Sequence, residues 1–235
     1  DFNIPETIGE AWLTFEQLNN TALFDVHALH PRYGIGGADF SSTTDLTAAV
    51  VLFMLPNDPH IYVMAMFWLP EELLERRVRE DRIPYDLWKD QGYLRTCEGN
   101  KVRQKDVTDW FLEVQNDLDC YIYRGGYDAW SASYWVDEMQ ETFGKGVFTP
   151  VQQTMKVLSL PMKQLGADFD SKLIVYNNNP VLKWCLANTG IVEDKNGNIK
   201  PNKTSKARKR IDGLAALLDA FVVFQDCQDD YKSML

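Results

Sequence analysis

Short apolar runs separated by turn residues predict β-strands in the first third of the chain. Strands are predicted at residues 34–39, 46–55 and 61–67, of which the second is the most strongly apolar. A turn from Pro56 to Pro59 separates the second strand from the third. Because the three strands are close in sequence, we expect them to form an antiparallel meander.

Beyond the meander, apolar residues recur at the three-to-four-residue spacing of amphipathic helices. Helices are predicted at residues 107–118, 131–143, 180–188 and about 204–224, with a further helix start after Pro70. Further strands are predicted at residues 119–127 and 172–176, with an Asn-Gly hairpin within 191–200. A meander followed by alternating helices and strands indicates an α/β protein with a mixed β-sheet flanked by helices.

The residues before the meander form a separate lead-in. Trp12, Phe15 and Leu18 have helical spacing within residues 6–20, and Pro31 then interrupts the pattern. We therefore expect a lead-in helix within residues 1–32 and a folded body that begins near Tyr33. Since the sequence starts at Asp1 and not at Met, we also expect it to be a fragment or a processed product.

Composition identifies an ordinary globular protein with an acidic surface. Of its 235 residues, 45% are hydrophobic and 25% charged, which excludes collagen-like, disordered and disulfide-stapled chains. No apolar run approaches the roughly 20 residues of a membrane span, so no membrane partner is expected. The net charge of −10 excludes general nucleic-acid binding, and any contact with nucleic acid must be local.

Several familiar motifs are absent or incomplete. The four cysteines are far apart in sequence without a C-x-x-C pair, which argues against a zinc ribbon and is typical of reduced thiols in a cytosolic compartment. The glycines of residues 34–37 lack the third glycine of a dinucleotide fingerprint, and no P-loop sequence occurs. Residues 194–198 resemble a calcium loop, but the glycine is misplaced, so a hairpin turn is the better interpretation.

Three aspartates stand out by their positions. Asp39 ends a strand of small residues, Asp128 ends another strand, and Asp212 lies beside the apolar stripe of the last helix. Each has a simpler explanation: a turn residue, a helix N-cap, and a salt bridge to Arg208 or Arg210, respectively. Together, however, two strand-end carboxylates and one on a final helix can converge on a pair of divalent cations.

Phosphodiester hydrolysis requires this kind of arrangement. The reaction needs a hydroxide near neutral pH and neutralisation of charge on the leaving oxygen, and two metal ions about 3.5–4 Å apart provide both. Mg²⁺ and Mn²⁺ prefer the hard oxygens of carboxylates. Three converging carboxylates without a cation would repel one another, so a metal-free cluster is disfavoured.

A basic run precedes the third aspartate. It places six cations within eleven residues: Lys200, Lys203, Lys206, Arg208, Lys209 and Arg210. A solvated helix start is the simpler explanation, but cations at a helix N-terminus oppose the helix dipole. In a chain of net negative charge, this run is the predicted DNA-binding segment, which would contact phosphates.

With these motifs in order, the chain resembles the nuclease domain of the large terminase subunit of tailed bacteriophages, the DNA-packaging motor. The order and spacing of the matching stretches extend over most of residues 33–224. They are GGADFSST (36–43), DLTA (45–48), FWLP (67–70), IPYDLW (83–88), YDAW (127–130), LPMKQL (160–165), NPVLKW (179–184) and KRIDGLAA (209–216).

The resemblance implies an RNase H-like (RuvC-like) fold with a C-terminal β-hairpin and a final helix. It assigns residues 33–235 to the nuclease domain and residues 1–32 to an inter-domain linker, with the family's ATPase domain absent from this chain. The metal-binding acids of the family fall on Asp39, Asp128 and Asp212. Many relatives carry a His before Asn-Pro, where this chain has Asn177-Asn178, so no role for that His is carried over.

The resulting hypothesis is a two-metal endonuclease that cuts concatemeric double-stranded DNA with Mg²⁺ or Mn²⁺. Asp39 would bridge both ions, and Asp128 and Asp212 would each help to hold one. The implied partners are double-stranded DNA, the ATPase domain, the small terminase subunit and the portal protein, in the cytoplasm of the infected bacterial host. Two alternatives remain: a DNA-clamping module of the motor with little cleavage of its own, and a junction resolvase or transposase on the same fold.

Overall fold

The structure is a computed structural model that describes residues 11–40, 46–128, 135–203 and 210–235. Its strands are β1 (Tyr33–Asp39), β2 (Thr47–Phe53), β3 (Ile61–Pro70), β4 (Leu94–Cys97), β5 (Tyr121–Asp128), β6 (Phe148–Val151), β7 (Ile174–Val175), β8 (Thr189–Glu193) and β9 (Ile199–Lys203). Its helices are α1 (Phe15–Leu18), α2 (Val26–Leu29), α3 (Glu71–Asp81), α4 (Tyr85–Asp90), α5 (Gln104–Leu118), α6 (Trp135–Phe143), α7 (Met155–Asp170), α8 (Pro180–Ala187) and α9 (Asp212–Met234).

One mixed sheet organises these elements. Its strand order is β4-β3-β2-β1-β5-β6, and β7 pairs with the start of β3. Strands β1, β2 and β3 pair antiparallel, which confirms the predicted meander. Strand β5 runs parallel to β1, and β4 and β6 run parallel to β3 and β5, respectively. The prediction of a mixed sheet in an α/β protein is therefore confirmed.

Both faces of the sheet are covered. Alternate residues of β2 point to opposite sides, so Ala48 packs with α9 and the α7–α8 layer, whereas Ala49 packs with α5 and α6. All seven residues of β2 are buried, which explains why its sequence is continuously apolar. None of the helices in the described ranges combines the length and apolar character needed to cross a bilayer.

The last helix differs from its predicted bounds at both ends. It begins at Asp212 and extends to Met234, whereas the sequence pattern predicted about 204–224. A carboxylate in the first turn interacts favourably with the helix dipole, and the cations before it would oppose the dipole. Residues 204–209 lie outside the described part of the chain.

Beyond the lead-in, four elements were not predicted: α4, β4, β6 and α7. Strands β4 and β6 have only four residues each, too few for a clear alternation. Helix α7 contains Pro161 in its interior, which normally argues against a helix. Its apolar face is nevertheless buried, and the Thr154 side chain caps its first turn by accepting a hydrogen bond from Val157 N. Tertiary burial therefore outweighs the local effect of proline.

The lead-in segment is packed on the domain. In place of one helix over residues 6–20, it contains two four-residue helices, and residues 1–10 lie outside the described ranges. Leu13 and Leu18 are buried in the core, so the folded body begins well before Tyr33. An inter-domain role for this segment stays a prediction.

Two consecutive asparagines hold the lead-in. The Asn177 side-chain amide accepts a hydrogen bond from Phe24 N (2.8 Å) and donates one to Phe24 O (2.9 Å). Asn178 makes the same pair of hydrogen bonds with Asn20. Its side-chain oxygen accepts from Asn20 N, and its side-chain N–H₂ group donates to Asn20 O. Each amide thus imitates the pairing of a neighbouring strand. These four hydrogen bonds therefore give Asn177 and Asn178 a role in packing the lead-in on the domain.

The predicted C-terminal hairpin is formed by β8 and β9, which pair antiparallel. At its turn, Asp194 Oδ1 accepts hydrogen bonds from the backbone N–H groups of Asn196 (2.8 Å) and Asn198 (2.9 Å). Gly197 supplies the positive φ of 77° that the turn requires. The hairpin turn predicted at these residues is therefore confirmed, and the Asp194 carboxylate stabilises it.

Candidate functional site

Asp39 and Asp128 lie side by side at one edge of the sheet. They are the last residues of β1 and β5, which are adjacent and parallel, with Ala38 opposite Tyr127 and Gly37 opposite Gly126. Side chains alternate along a strand, so both aspartates share a face with the two glycines. Both carboxylates are half-buried. The carboxyl ends of neighbouring parallel strands thus bring two of the predicted acids together.

Helix α9 crosses this face directly above the glycines. A methyl group at Gly37 would lie 2.1 Å from the carbonyl oxygen of Ala216 and 2.7 Å from Ala220 Cβ. A methyl group at Gly126 would lie 2.5 Å from the carbonyl oxygen of Asp219. The missing side chains therefore allow the helix backbone to contact the strands two residues before each aspartate.

Asp212 lies at the start of α9 and is only 5% exposed. The next residue, Gly213, abuts Phe67 and Cys185, at 3.0 and 3.1 Å from a methyl group placed on it. Phe67 on β3 pairs with Ala48 on β2, and Ala48 pairs with Asp39 on β1. The three residues Asp39, Ala48 and Phe67 therefore form one row across these strands. With strands about 4.8 Å apart, the row spans roughly 10 Å.

The thiol of Cys185 provides a second indication that Asp212 and Asp39 are close. Burial raises its pKa, and the negative charges of Asp212 and Asp39 raise it further. The backbone N–H of Gly213 acts in the opposite direction by hydrogen bonding. The charges of two of the predicted acids therefore affect the pKa of one buried thiol, Asp39 from the end of β1 and Asp212 from the start of α9.

A fourth acid, Asp219, was missed by the sequence analysis. It lies two helical turns after Asp212 and is fully buried. Burial raises its pKa well above the usual value, a hydrogen bond from Gln153 opposes this, and the charges of Asp39 and Asp128 raise it further. A single charged residue inside the apolar segment 214–224 was the available signal.

The gathered acids do not form a complete coordination shell. Within the described ranges, no group of three or more Asp, Glu, His or Cys side chains is arranged to hold a metal ion. The donor set nevertheless fits a hard cation, because it consists of carboxylates. In addition, Asp219 Oδ2 is buried and has no hydrogen-bond partner among the described residues. Metal binding by Asp39, Asp128 and Asp212 stays a prediction.

The residues of the basic run, 200–210, do not share one secondary-structure element. Lys200 and Lys203 belong to β9 and not to a helix start, so the dipole argument does not apply to them. Lys206, Arg208 and Lys209 lie outside the described residues.

Arg210 is the member of the basic run whose side-chain surroundings the structure describes most fully. Its side chain is buried, with Nη2 3.8 Å from Asp81 Oδ2, and the Tyr85 hydroxyl donates to the same oxygen at 3.0 Å. A phosphate would have to enter the protein interior to reach this guanidinium. Arg210 therefore pairs α3 with the start of α9, and its DNA contact stays a prediction.

Comparison with known proteins agrees with this architecture. The chain is 32% identical over 191 residues to the terminase large subunit of Enterobacteria phage HK97, covering 80% of this chain and 36% of that protein. The crystal structure of the HK97 bacteriophage large terminase superposes with a TM-score of 0.77 at 27% identity, covering 91% of this chain and 43% of that one.

A more distant structure shares the fold. The large terminase nuclease from thermophilic phage G20c has a TM-score of 0.52 at 14% identity, with 80% of this chain and 81% of that chain covered. The predicted RNase H-like class, including its C-terminal hairpin and final helix, is confirmed. The chain spans well under half the length of the HK97 protein.

The sequence also matches a family over nearly its whole length. The match covers residues 1–227, and the family is described as "Terminase large subunit, endonuclease domain". With the ordered motifs, the mixed sheet and the strand-end aspartates, this match leads to one conclusion: the chain belongs to the terminase large subunit endonuclease domain family.

Proposed function

We propose that this domain is a metal-dependent endonuclease that cleaves concatemeric double-stranded DNA during viral genome packaging. The observation that carries the proposal is the side-by-side position of Asp39 and Asp128 at the ends of β1 and β5, with α9 lying on the same face of the sheet. Membership of a nuclease family supports the reaction type. Two Mg²⁺ or Mn²⁺ ions, when bound, would supply a hydroxide near neutral pH and stabilise charge on the leaving oxygen.

Asp39 is the proposed bridging residue because it is central. It neighbours Asp128 through the β1–β5 pairing, and it shares the surroundings of Cys185 with Asp212. Asp128 and Asp212 would each help to hold one of the two cations.

The DNA backbone is the proposed ligand of the basic segment. Lys203 ends β9 and Asp212 begins α9, so Lys206, Arg208 and Lys209 lie in sequence directly before the helix that carries Asp212. Lys200 is on β9 nearby in sequence. Phosphate contacts carry little sequence information, so the cut site would be chosen by partners: the ATPase domain, the small terminase subunit and the portal protein. The expected location is the cytoplasm of the infected bacterial host.

Asp39→Asn tests the proposal. The variant should fold normally and lose at least about 100-fold in the rate of supercoiled-plasmid cleavage with Mn²⁺ or Mg²⁺, because removing the bridging charge weakens both cation sites. Chelator should abolish wild-type cleavage. Asp168→Asn, which alters a buried aspartate on α7, is the matched control and should remain active. Full activity of Asp39→Asn would reject the assignment.

A DNA-clamping module is the second candidate. The net charge of −10 is consistent with weak DNA binding by the isolated domain, which would then act within the packaging motor. The clamping hypothesis predicts a shifted band of protein-bound linear DNA in a mobility-shift assay and no cleavage in Mn²⁺. The nuclease proposal predicts nicked and linear products from supercoiled plasmid.

A further inference from the structure

Asp219 is a buried acid to which the proposed reaction has so far assigned no role. The residue is fully buried, and Gln153 Nε2 donates a hydrogen bond to Oδ1 at 2.8 Å. The other oxygen, Oδ2, is also buried and has no hydrogen-bond partner among the residues that the structure describes. A buried carboxylate oxygen without a donor is costly, and such groups in native proteins mark a functional role or a bound ion.

We propose that Asp219 is a fourth acidic residue of the metal site and that its Oδ2 is a ligand for one of the divalent cations. The proposal rests on the proposed function, because it extends the site of Asp39, Asp128 and Asp212.

Placement on the sheet supports this role. The backbone of Asp219 contacts β5 at Gly126, two residues before Asp128 on the same face of the strand. After the larger effect of burial, the charges of Asp39 and Asp128 also raise the pKa of the Asp219 carboxyl group. The position of Asp219 beside β5 places it near the end of that strand, whereas Asp212 lies two turns earlier on α9.

Gln153 fixes the orientation of the carboxylate. Its side-chain N–H₂ group donates to Asp219 Oδ1 and to the carbonyl oxygen of Val151 at 3.3 Å. Val151 is paired with Asp128 across β5 and β6. One amide therefore ties Asp219 to the strand end that carries Asp128 and leaves Oδ2 as the oxygen available to a cation. This is the usual way in which a second residue orients a metal-binding carboxylate.

The test measures metal binding without DNA and without turnover. Mn²⁺ is titrated into the 235-residue chain by isothermal calorimetry, with wild type, Asp219→Asn and Asp39→Asn compared at the same pH. Asp219→Asn keeps the shape of the side chain and should weaken Mn²⁺ binding by about tenfold or more. If that variant does not fold by circular dichroism, Asp219→Ser replaces it.

The chain offers a closely matched control. Asp168 is also buried (8% exposed) and also accepts a hydrogen bond from a glutamine, Gln164 Nε2, at 2.9 Å. It lies on α7 near Lys232, at the opposite end of α9 from Asp212. Asp168→Asn should therefore leave Mn²⁺ affinity unchanged, which separates loss of a ligand from loss of any buried carboxylate.

The outcomes distinguish the two proposals. Weakened binding in both Asp39→Asn and Asp219→Asn, with Asp168→Asn unchanged, supports the fourth ligand. Weakened binding in Asp39→Asn alone overturns the role of Asp219 and leaves the proposed function standing. If wild type fails to bind Mn²⁺, or Asp39→Asn binds it normally, the metal site and its fourth ligand are both rejected.

Discussion

The contact of α9 with the sheet can be tested by adding a single methyl group at Gly37. In the Gly37→Ala variant, Cβ would lie 2.1 Å from the carbonyl oxygen of Ala216 and 2.7 Å from Ala220 Cβ. Contacts below 3.0 Å essentially never occur for real Cβ atoms, and these partners belong to the helix itself. The clash cannot be relieved by rotating a side chain, so the helix has to move away from β1.

The expected loss of stability follows from the steric overlap between the added methyl group and the backbone of α9. Restoring a 3.0 Å contact to the Ala216 oxygen requires a displacement of roughly 0.9 Å, which loosens packing along β1 and β5. Overpacking typically costs about 1–3 kcal/mol, and a clash against backbone is at the upper end. About 3 kcal/mol lowers the folding equilibrium constant by roughly 100-fold. The displacement also shifts α9 relative to Asp39.

Urea unfolding followed by circular dichroism measures this effect. With a slope of about 3 kcal/mol per molar, the midpoint should fall by about 1 M. Gly166→Ala on α7 is the control, since its added methyl group meets only the Trp12 side chain at an ordinary 3.4 Å. Alanine is the better helix former, so this midpoint should stay the same or rise.

Two results would refute the reasoning about the helix contact. A Gly37→Ala midpoint equal to that of wild type would mean that α9 does not lie on β1 as described. Equal losses in Gly37→Ala and Gly166→Ala would mean that the methyl group acts through general glycine effects and not through the close approach.

Two further predictions concern the rest of the fold. Tyr231→Phe removes a hydroxyl that donates to Tyr33 O (2.8 Å) and accepts from Met54 N (3.0 Å), so stability should fall by about 2 kcal/mol in urea unfolding; an unchanged midpoint would contradict this. Hydrogen bonds from the side chain and backbone of Asn198 lower the pKa of Asp194. Its stabilisation of the hairpin turn is therefore present above the ordinary aspartate pKa of about 3.9 and lost as pH falls through the lower folded value, which amide exchange of the turn measured against pH would detect.

Local sequence patterns were sufficient for much of the sheet and for part of the site. Strand β2 is buried on both faces, so its apolar run is unbroken, and the Asn196-Gly197 turn has its own backbone preference. Asp39 and Asp128 could be proposed because each ends a strand, and the ends of parallel strands meet at one edge. These features depend on the periodicity of apolar residues and on the backbone preferences of turn residues. Both are properties of residues that are close together in the sequence.

The role of isolated charges depended on contacts between distant parts of the chain. Arg210 looked like a DNA contact in a basic run, but its environment is set by Asp81, far earlier in the sequence. Asp219 was not predicted to be a site residue, but in the structure it lies against β5 and accepts a hydrogen bond from Gln153. Burial and charge pairing of this kind cannot be read from local spacing.

The sequence by itself therefore determined the alternation of strands and helices, the hairpin, and the placement of two acids at strand ends. Only the tertiary structure decided where α9 begins, how closely it lies on the sheet, and that the lead-in is held by Asn177 and Asn178. The physical reason is that these features depend on non-local packing and desolvation. Their free energy depends on which surfaces meet, and a local pattern does not specify the partner surface.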